Sequence, residues 1–172
     1  QFVGVLNYKS IWEVWNYNKL NYGDRYTSGF LYWYHNSPIR QVAGRMWDWS
    51  LEPTAALYAA QNACEPLHPQ FDYLKNTVSV VNDYYQEFKN YKVIAEAYDL
   101  NMKKIFSKNA IVNLPEDGVV NDIFEIDVSK AATSIQFLKL RLFDEKNNQV
   151  GSNFYWRSNN KYEGRKTLTG PT

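Results

Sequence analysis

The stretch Phe137–Phe143 reads Phe-Leu-Lys-Leu-Arg-Leu-Phe, and its alternation of apolar and charged residues predicts a β-strand with one buried face. Similar periods occur in Ile123–Val128, Val78–Asn82 and Lys92–Tyr98, and Ser152–Trp156 is a further strand candidate. Turn residues such as Asn, Asp, Pro and Gly separate these segments. Short strands at regular spacing predict an antiparallel, immunoglobulin-like β-sandwich of about 90–100 residues, so the chain is expected to be mainly β.

The part of the chain before this sandwich has a different pattern. Ser10 precedes Glu13 at capping-box spacing, which predicts that a helix starts there. The apolar run Gly29–Tyr34 predicts a strand buried on both faces, and the alanine-rich segment Thr54–Cys64 predicts a second helix. This order is typical of an α/β protein such as a (β/α)8 barrel. A single buried strand cannot form a parallel sheet, so we expect the segment to be part of a larger structure.

The change of period predicts three regions. Residues 1–64 form the α/β segment, residues 65–157 form the sandwich, and residues 158–172 are a polar linker or tail. Cys64 is the only cysteine, which excludes a disulfide-bonded antibody-type domain. Its position at the end of a helix predicts a small core residue.

Charge and composition exclude several partners. The net charge is +1, from 19 basic and 18 acidic residues, so we expect no binding to nucleic acid or to an anionic membrane. No apolar run is long enough for a transmembrane helix, and the first residues resemble no signal peptide. The unusual feature is that 17% of the residues are aromatic. Aromatic-rich surfaces often bind carbohydrate or protein, although the same rings can fill a core.

The sequence predicts no metal site and no cofactor. His35 and His68 are far apart and have no second ligand at a suitable spacing, and no glycine-rich phosphate loop is present. Asp48 lies between Trp47 and Trp49, as in many sugar sites, but one carboxylate cannot supply both the acid and the nucleophile of a glycosidase.

Trp33 is the candidate for ligand binding, together with Asn36. Both lie at the end of the apolar run, Trp33 within it and Asn36 just after it, and in a barrel the carboxyl end of a strand lies at the active-site face. A tryptophan there can stack on a sugar ring, and an asparagine amide can bind a hydroxyl group. The alternative is that Trp33 is a core residue whose ring N–H is satisfied.

Three motifs resemble glycoside hydrolase family 2, in particular its exo-β-glucosaminidase and mannosylglycoprotein endo-β-mannosidase group. Gly29–Asn36 resembles the last barrel strand of these enzymes. Cys64–His68, which reads Cys-Glu-Pro-Leu-His, resembles the step after their final barrel helix. Ser152–Trp156 is the most specific motif and resembles the end of the sandwich that follows the barrel.

The resemblance implies that residues 1–64 are the end of a (β/α)8 catalytic barrel and that residues 65–157 are the immunoglobulin-like domain after it. No residue of this chain matches the family's catalytic glutamates, so no catalytic residue is assigned. Trp33 carries over as a residue that lines the sugar pocket, and Asn36 carries over less specifically. Ser37–Arg40 departs from the Trp-Pro pair of the relatives, so the substrate loop is expected to differ.

The sequence therefore predicts a fragment of a retaining β-glycosidase, of β-mannosidase or exo-β-glucosaminidase type, that is itself inactive. Carbohydrate is its expected ligand, through the parent barrel. The alternative is a free-standing carbohydrate-binding module, and a third possibility is a protein-interaction domain of an adhesin. Exposed aromatic residues in 1–64 favour self-association. Composition leaves the location unknown, while the family favours a periplasmic or secreted enzyme.

Overall fold

A computed structural model describes residues 2–19, 29, 31–33, 36, 38–40, 45–129 and 133–158. Two helices come first and seven strands follow. The elements are α1 (Phe2–Tyr17), α2 (Ala55–Ala63), β1 (Leu67–Asp72), β2 (Thr77–Asn82), β3 (Phe88–Asp99), β4 (Lys104–Leu114), β5 (Gly118–Glu125), β6 (Ile135–Phe143) and β7 (Gln149–Ser158).

The strands form two antiparallel sheets. One sheet has the order β1-β2-β5, and the other has the order β4-β3-β6-β7. Their inner faces share one hydrophobic core, which includes Val78, Val80, Leu138, Leu140 and Leu142. The mainly β sandwich predicted from the alternating strands is therefore confirmed.

Strand β6 shows why the alternating pattern was informative. Leu138, Leu140 and Leu142 are fully buried, whereas Lys139 between them is exposed. The turn after β3 was also predicted, and Asp99 holds it because its Oδ1 accepts hydrogen bonds from the backbone N–H groups of Asn101 and Lys103, both at 2.9 Å.

The two helices pack on each other, and α1 also lies against β1, β2 and β5 of the three-stranded sheet. The hydroxyl of Thr54 caps α2 by accepting a hydrogen bond from the N–H of Ala56 at 3.2 Å. Alanines on α2 allow α1 to approach closely, and Tyr8 of α1 is buried against Ala56, Ala59 and Ala60. The helix predicted over Thr54–Cys64 is confirmed. Among the described residues, neither helix is long and apolar enough to span a membrane.

The start predicted for α1 is wrong. Ser10 lies inside the helix, and its hydroxyl donates to the carbonyl oxygens of Leu6 and Asn7 at 2.7 and 3.1 Å. A serine at this place bonds back to the preceding turn instead of capping a new helix. Glu13 is consequently no capping residue, and it is buried.

Two further predictions in residues 1–64 are wrong. The described residues of the predicted strand Gly29–Tyr34 belong to no strand, and Leu31 and Trp33 are strongly exposed. Phe30, Tyr34 and His35 lie outside the described residues. A parallel strand needs neighbouring strands for its hydrogen bonds, and the described chain offers none to this segment. Cys64 caps the end of α2 and is exposed, so it is no core residue.

The sequence pattern did not reveal β1 and β4. Strand β1 contains Pro69, and its polar residues His68 and Gln70 are buried because they face α1. Strand β4 is an edge strand with the polar run Ser107–Asn109 at its centre. The division of the chain at residues 64/65 and 157/158 stays a prediction, and residues 159–172 lie outside the described part.

Candidate functional site

The segment between the helices carries the two residues predicted to bind sugar. The side chain of Trp33 is 86% exposed in this chain. Asn36 is half-buried, and its backbone forms a parallel bridge with Trp47. The structure therefore brings Asn36 beside the Trp47–Trp49 triplet, although Asn36 precedes Trp47 by eleven positions in the sequence.

The triplet is part of a short, closed turn. Trp47 also forms an antiparallel bridge with Pro53. Asp48 Oδ1 accepts hydrogen bonds from the N–H and hydroxyl of Ser50, at 2.8 and 2.7 Å, and from the N–H of Glu52 at 3.0 Å. The bond from the Ser50 hydroxyl and those from the backbone N–H groups lower the pKa of Asp48. Asp48 is therefore an ionised turn residue, which is unsuited to act as a general acid.

Tyr32 connects this segment to α1. The Tyr8 hydroxyl hydrogen-bonds to the Tyr32 hydroxyl, and the two rings meet edge to face with their centroids 5.5 Å apart. Because Tyr8 is anchored on α2, this contact positions the residue that precedes Trp33. The exposed rings of Trp33 and Trp49 thus belong to a segment that is tied to the helices at Tyr32 and at the Trp47 turn.

A second group of residues lies where α1 meets the sandwich. Three donors converge on Glu13 Oε1, which is the centre of this polar cluster: His68 Nε2 at 3.0 Å, Asn153 Nδ2 at 2.8 Å and the Tyr155 hydroxyl at 2.7 Å. Gln70 Nε2 also donates to the backbone carbonyl of Glu13 at 2.9 Å. All five side chains are buried. Such a cluster fixes the position of α1 because each buried polar group requires its partner.

Tyr155 and Lys9 extend the Glu13 cluster. The Tyr155 hydroxyl accepts a hydrogen bond from the N–H of Phe71 at 2.9 Å. Burial, and then the Glu13 carboxylate, raise the pKa of Tyr155 well above its ordinary value, so the hydroxyl stays a donor. The Lys9 ammonium lies 4.1 Å from the centre of the Tyr155 ring and donates to the carbonyl of Phe154 at 2.8 Å. Burial lowers the pKa of Lys9.

The carboxyl end of α1 is held by surface contacts. The Tyr17 hydroxyl donates to Asp122 Oδ2 at 2.8 Å, and Lys75 forms an ion pair with the same carboxylate at 2.9 Å. Just beyond the helix, Lys19 forms ion pairs with Asp83 at 2.6 Å and with Asp117 at 2.5 Å. The helix therefore contacts the sandwich along more than half of its length.

The described residues contain no group of three or more His, Cys, Asp and Glu side chains that could hold a metal ion. His68 is bound to Glu13 instead. Of the four carboxylates in residues 1–64, Glu13 is buried in the cluster, Asp48 holds a turn, Glu52 is exposed, and Asp24 lies outside the described residues. Asn36 and the Trp47 turn therefore lie side by side in the segment that carries Trp33, and the role of Trp33 and Asn36 in sugar binding stays a prediction.

Sequence reasoning missed the Glu13 cluster. Two signals were available: His68 and Gln70 alternate on a strand beside a proline, and Asn153 and Tyr155 point to the same face of β7. Polar residues at inward strand positions indicate a buried polar partner. The partner itself comes from a helix more than fifty residues away, which no local pattern reveals.

Comparison with known proteins shows that this chain is similar to segments of β-glycosidases. The mannosylglycoprotein endo-β-mannosidase of Lilium longiflorum is 28% identical over 160 residues, which are 91% of this chain and 16% of that protein. The exo-β-D-glucosaminidase of Amycolatopsis orientalis is 23% identical over 154 residues, which are 88% of this chain and 15% of that protein. The chain is homologous to a segment of these enzymes, as its three motifs predicted.

The solved structures agree on the fold. The exo-chitosanase of Amycolatopsis orientalis superposes with a TM-score of 0.82 at 23% identity, over 91% of this chain and 18% of that chain. This chain spans about one sixth of the length of the curated relatives that it matches. No protein-family model matches it.

Proposed function

We propose that this chain is a non-catalytic segment of a retaining β-glycosidase of β-mannosidase or exo-β-glucosaminidase type. The observation that carries the proposal is the similarity over 160 residues, which are 91% of this chain and 16% of the relative. The acid/base and nucleophile carboxylates of a retaining mechanism come from outside this segment.

The proposed role of Trp33 and Asn36 is to form one wall of the sugar pocket. Support comes from the exposure of Trp33 and from the bridge that brings Asn36 beside Trp47. An exposed indole offers a flat apolar face to a pyranose ring, and a side-chain amide both donates to and accepts from hydroxyl groups.

The proposed role of the sandwich is to support that wall. The Glu13 cluster fixes α1 on the sandwich, α1 packs on α2, and Tyr32 contacts Tyr8 on α1. A shift at the base of α1 would therefore move the segment that carries Trp33. A misplacement of about 1 Å at a substrate-positioning residue can cost about 100-fold in rate.

The isolated chain tests the non-catalytic part of the proposal. We expect no turnover of 4-nitrophenyl β-D-mannoside or 4-nitrophenyl β-D-glucosaminide by the purified chain, because no described carboxylate pair flanks Trp33. Sustained turnover that co-purifies with the chain and is lost in its Trp33→Ala variant would contradict the proposal.

A chimeric enzyme tests the proposed role of Trp33 and Asn36 in the sugar pocket. In this graft the chain replaces the aligned segment of the Amycolatopsis orientalis exo-β-D-glucosaminidase, and hydrolysis of 4-nitrophenyl β-D-glucosaminide is measured. We expect an active hybrid whose kcat/KM falls about 10- to 100-fold with Trp33→Ala, because a stacking surface is lost. The matched control is Tyr58→Ala, an exposed aromatic residue on α2, which should leave kcat/KM unchanged. A folded hybrid that is insensitive to Trp33→Ala would exclude the pocket wall.

A further inference from the structure

The outer face of the four-stranded sheet belongs to the sandwich and is distant from the Trp33 segment in the sequence. Side chains on the two sides of a strand alternate, so the outward positions of β6 and β7 follow from the buried ones. Leu138 and Leu140 point into the core, and so does Tyr155. The outward positions therefore include Phe137 and Lys139 on β6 and a second pair on β7, formed by Phe154 and Trp156.

Three aromatic rings form a cluster on this face. Phe154 is 47% exposed and Trp156 is 40% exposed, although both lie in the middle of a well-paired strand. Phe137 lies between them: its ring stacks on Phe154 at 6.0 Å and meets Trp156 edge to face at 6.2 Å. Tyr98 of β3 is the cross-strand partner of Phe137 and continues the row. The cluster is an apolar platform held by backbone hydrogen bonds on a rigid sheet.

Basic side chains lie beside the platform. Lys139 pairs across the sheet with Phe154, and the Lys104 ammonium lies 5.9 Å from the centre of the Tyr98 ring. Glu96 is the acidic residue among the outward strand positions, and it is shared by Lys104 at 2.6 Å and Arg141 at 2.7 Å. These three basic residues and one carboxylate leave this part of the face with a charge of 3 − 1 = +2, whereas the whole chain carries only +1.

We propose that this platform is a second carbohydrate site and that it binds an acidic polysaccharide. The rings of Phe154 and Trp156 stack on pyranose rings, while Lys139 and its basic neighbours pair with carboxylates along the polymer. Charge complementarity selects an acidic chain over a neutral one, and it disfavours the cationic polymer of glucosamine. The choice of carbohydrate as the ligand class rests on the proposed glycosidase function. The preference for an acidic carbohydrate rests on the basic side chains of the sheet.

Binding to polygalacturonate, measured by isothermal titration calorimetry at low salt and neutral pH, tests the proposal. We expect saturable binding whose Kd rises about tenfold in Trp156→Ala and in Phe154→Ala, and roughly threefold to fivefold in Lys139→Glu. The last variant changes the charge but leaves the rings in place. Tyr85→Ala, which removes an exposed ring from the β2–β3 loop, is the matched control and should bind as the unchanged chain does. Circular dichroism confirms that each variant is folded.

Three results would overturn the proposal. One is the absence of binding to polygalacturonate. Another is equal binding to neutral galactomannan, which removes the role of charge. The third is equal binding to poly-glutamate, or binding that is unaffected by both aromatic substitutions. Either outcome would mean that the charge of the face, and not its aromatic rings, accounts for the binding. Failure of the glycosidase proposal would instead appear as an inactive graft, which this binding assay does not measure.

Discussion

At the residue scale, the buried Glu13 carboxylate has the largest expected effect on stability. Removing it leaves His68, Asn153 and Tyr155 without their shared acceptor in a region closed to water. Each buried group that loses its partner costs about 1–3 kcal/mol. We expect Glu13→Ala to lower the free energy of unfolding by about 3 kcal/mol in urea titrations.

Two further variants sharpen this prediction. Glu13→Gln keeps the shape and one acceptor oxygen, so its loss should be smaller, about 1–2 kcal/mol. Glu65→Ala removes an exposed carboxylate and should change stability by less than about 0.5 kcal/mol. Equal stability of Glu13→Ala and Glu65→Ala would show that the cluster does not hold the helix.

Glu96 gives the chain an acid-sensitive contribution to stability. The hydrogen bond from Lys104, together with the nearby Arg141 guanidinium, lowers its pKa below the ordinary value of 4.5. A carboxyl group whose pKa is lower in the folded state stabilises the fold above the unfolded-state pKa, and this contribution is lost as the pH falls through the folded-state pKa. We expect the unchanged chain to lose stability below about pH 4.5 more steeply than Glu96→Gln does.

The measurement is the urea midpoint between pH 7 and pH 3 for both proteins. At pH 7 Glu96→Gln should be less stable by about 2 kcal/mol, because two charge-assisted hydrogen bonds are weakened. The two curves should converge on the acid side. Parallel curves over the whole range would mean that Glu96 does not titrate in the way described.

At the element scale, Gly151 determines how closely β7 approaches β1. A Cβ atom at Gly151 would lie 2.6 Å from the carbonyl oxygen of Leu67 and 3.2 Å from Cδ of Pro69. The backbone would have to shift to relieve a contact this short, so we expect Gly151→Ala to lower the free energy of unfolding by about 1–3 kcal/mol. Val150→Ala, at the exposed neighbouring position, is the control and should cost less than half as much in the same thermal unfolding experiment.

The elements that could be predicted are those whose residue pattern reflects a single packing constraint. Strand β6 alternates because one face is core and the other is solvent, and α2 is rich in alanine because it packs closely on α1. Strand β1 was missed because its buried face is polar and is satisfied by Glu13 and not by apolar neighbours. The apolar run Gly29–Tyr34 was wrongly assigned to a buried strand. The reason is that hydrophobicity indicates that a segment is buried but does not show which neighbouring elements bury it.

The candidate site was only partly predictable for a related reason. Trp33 and Asn36 were proposed from their place at the end of the predicted strand and from their similarity to a known motif, and the sequence held no sign that Asn36 lies beside Trp47. The aromatic platform on the sandwich was also hidden. Phe154 and Trp156 fall at alternate positions of one strand, but Phe137 joins them only through the register of β6 with β7.

At the scale of the whole molecule, the question is whether the helices and the sandwich unfold as one unit. Two optical probes separate the two parts, because five of the six tryptophans lie before residue 50 and Trp156 is the remaining one. In a Trp156→Phe background, tryptophan fluorescence reports on the helical part alone, while circular dichroism at strand wavelengths reports mainly on the sandwich. Unfolding of a single cooperative unit requires coincident transitions.

We expect the two transitions to coincide in the Trp156→Phe chain and to separate when Glu13→Ala is added, with the fluorescence change moving to lower urea. The reason is that α1 contacts the sandwich chiefly through buried polar bonds centred on Glu13, whereas the sandwich core has its own apolar contacts. The matched control is Lys75→Ala, which removes an exposed ion pair at the far end of α1 and should leave the transitions coincident. If the Trp156→Phe chain already shows two transitions, the Glu13 cluster is too weak to couple the parts, and the proposed support of the Trp33 segment by the sandwich fails with it.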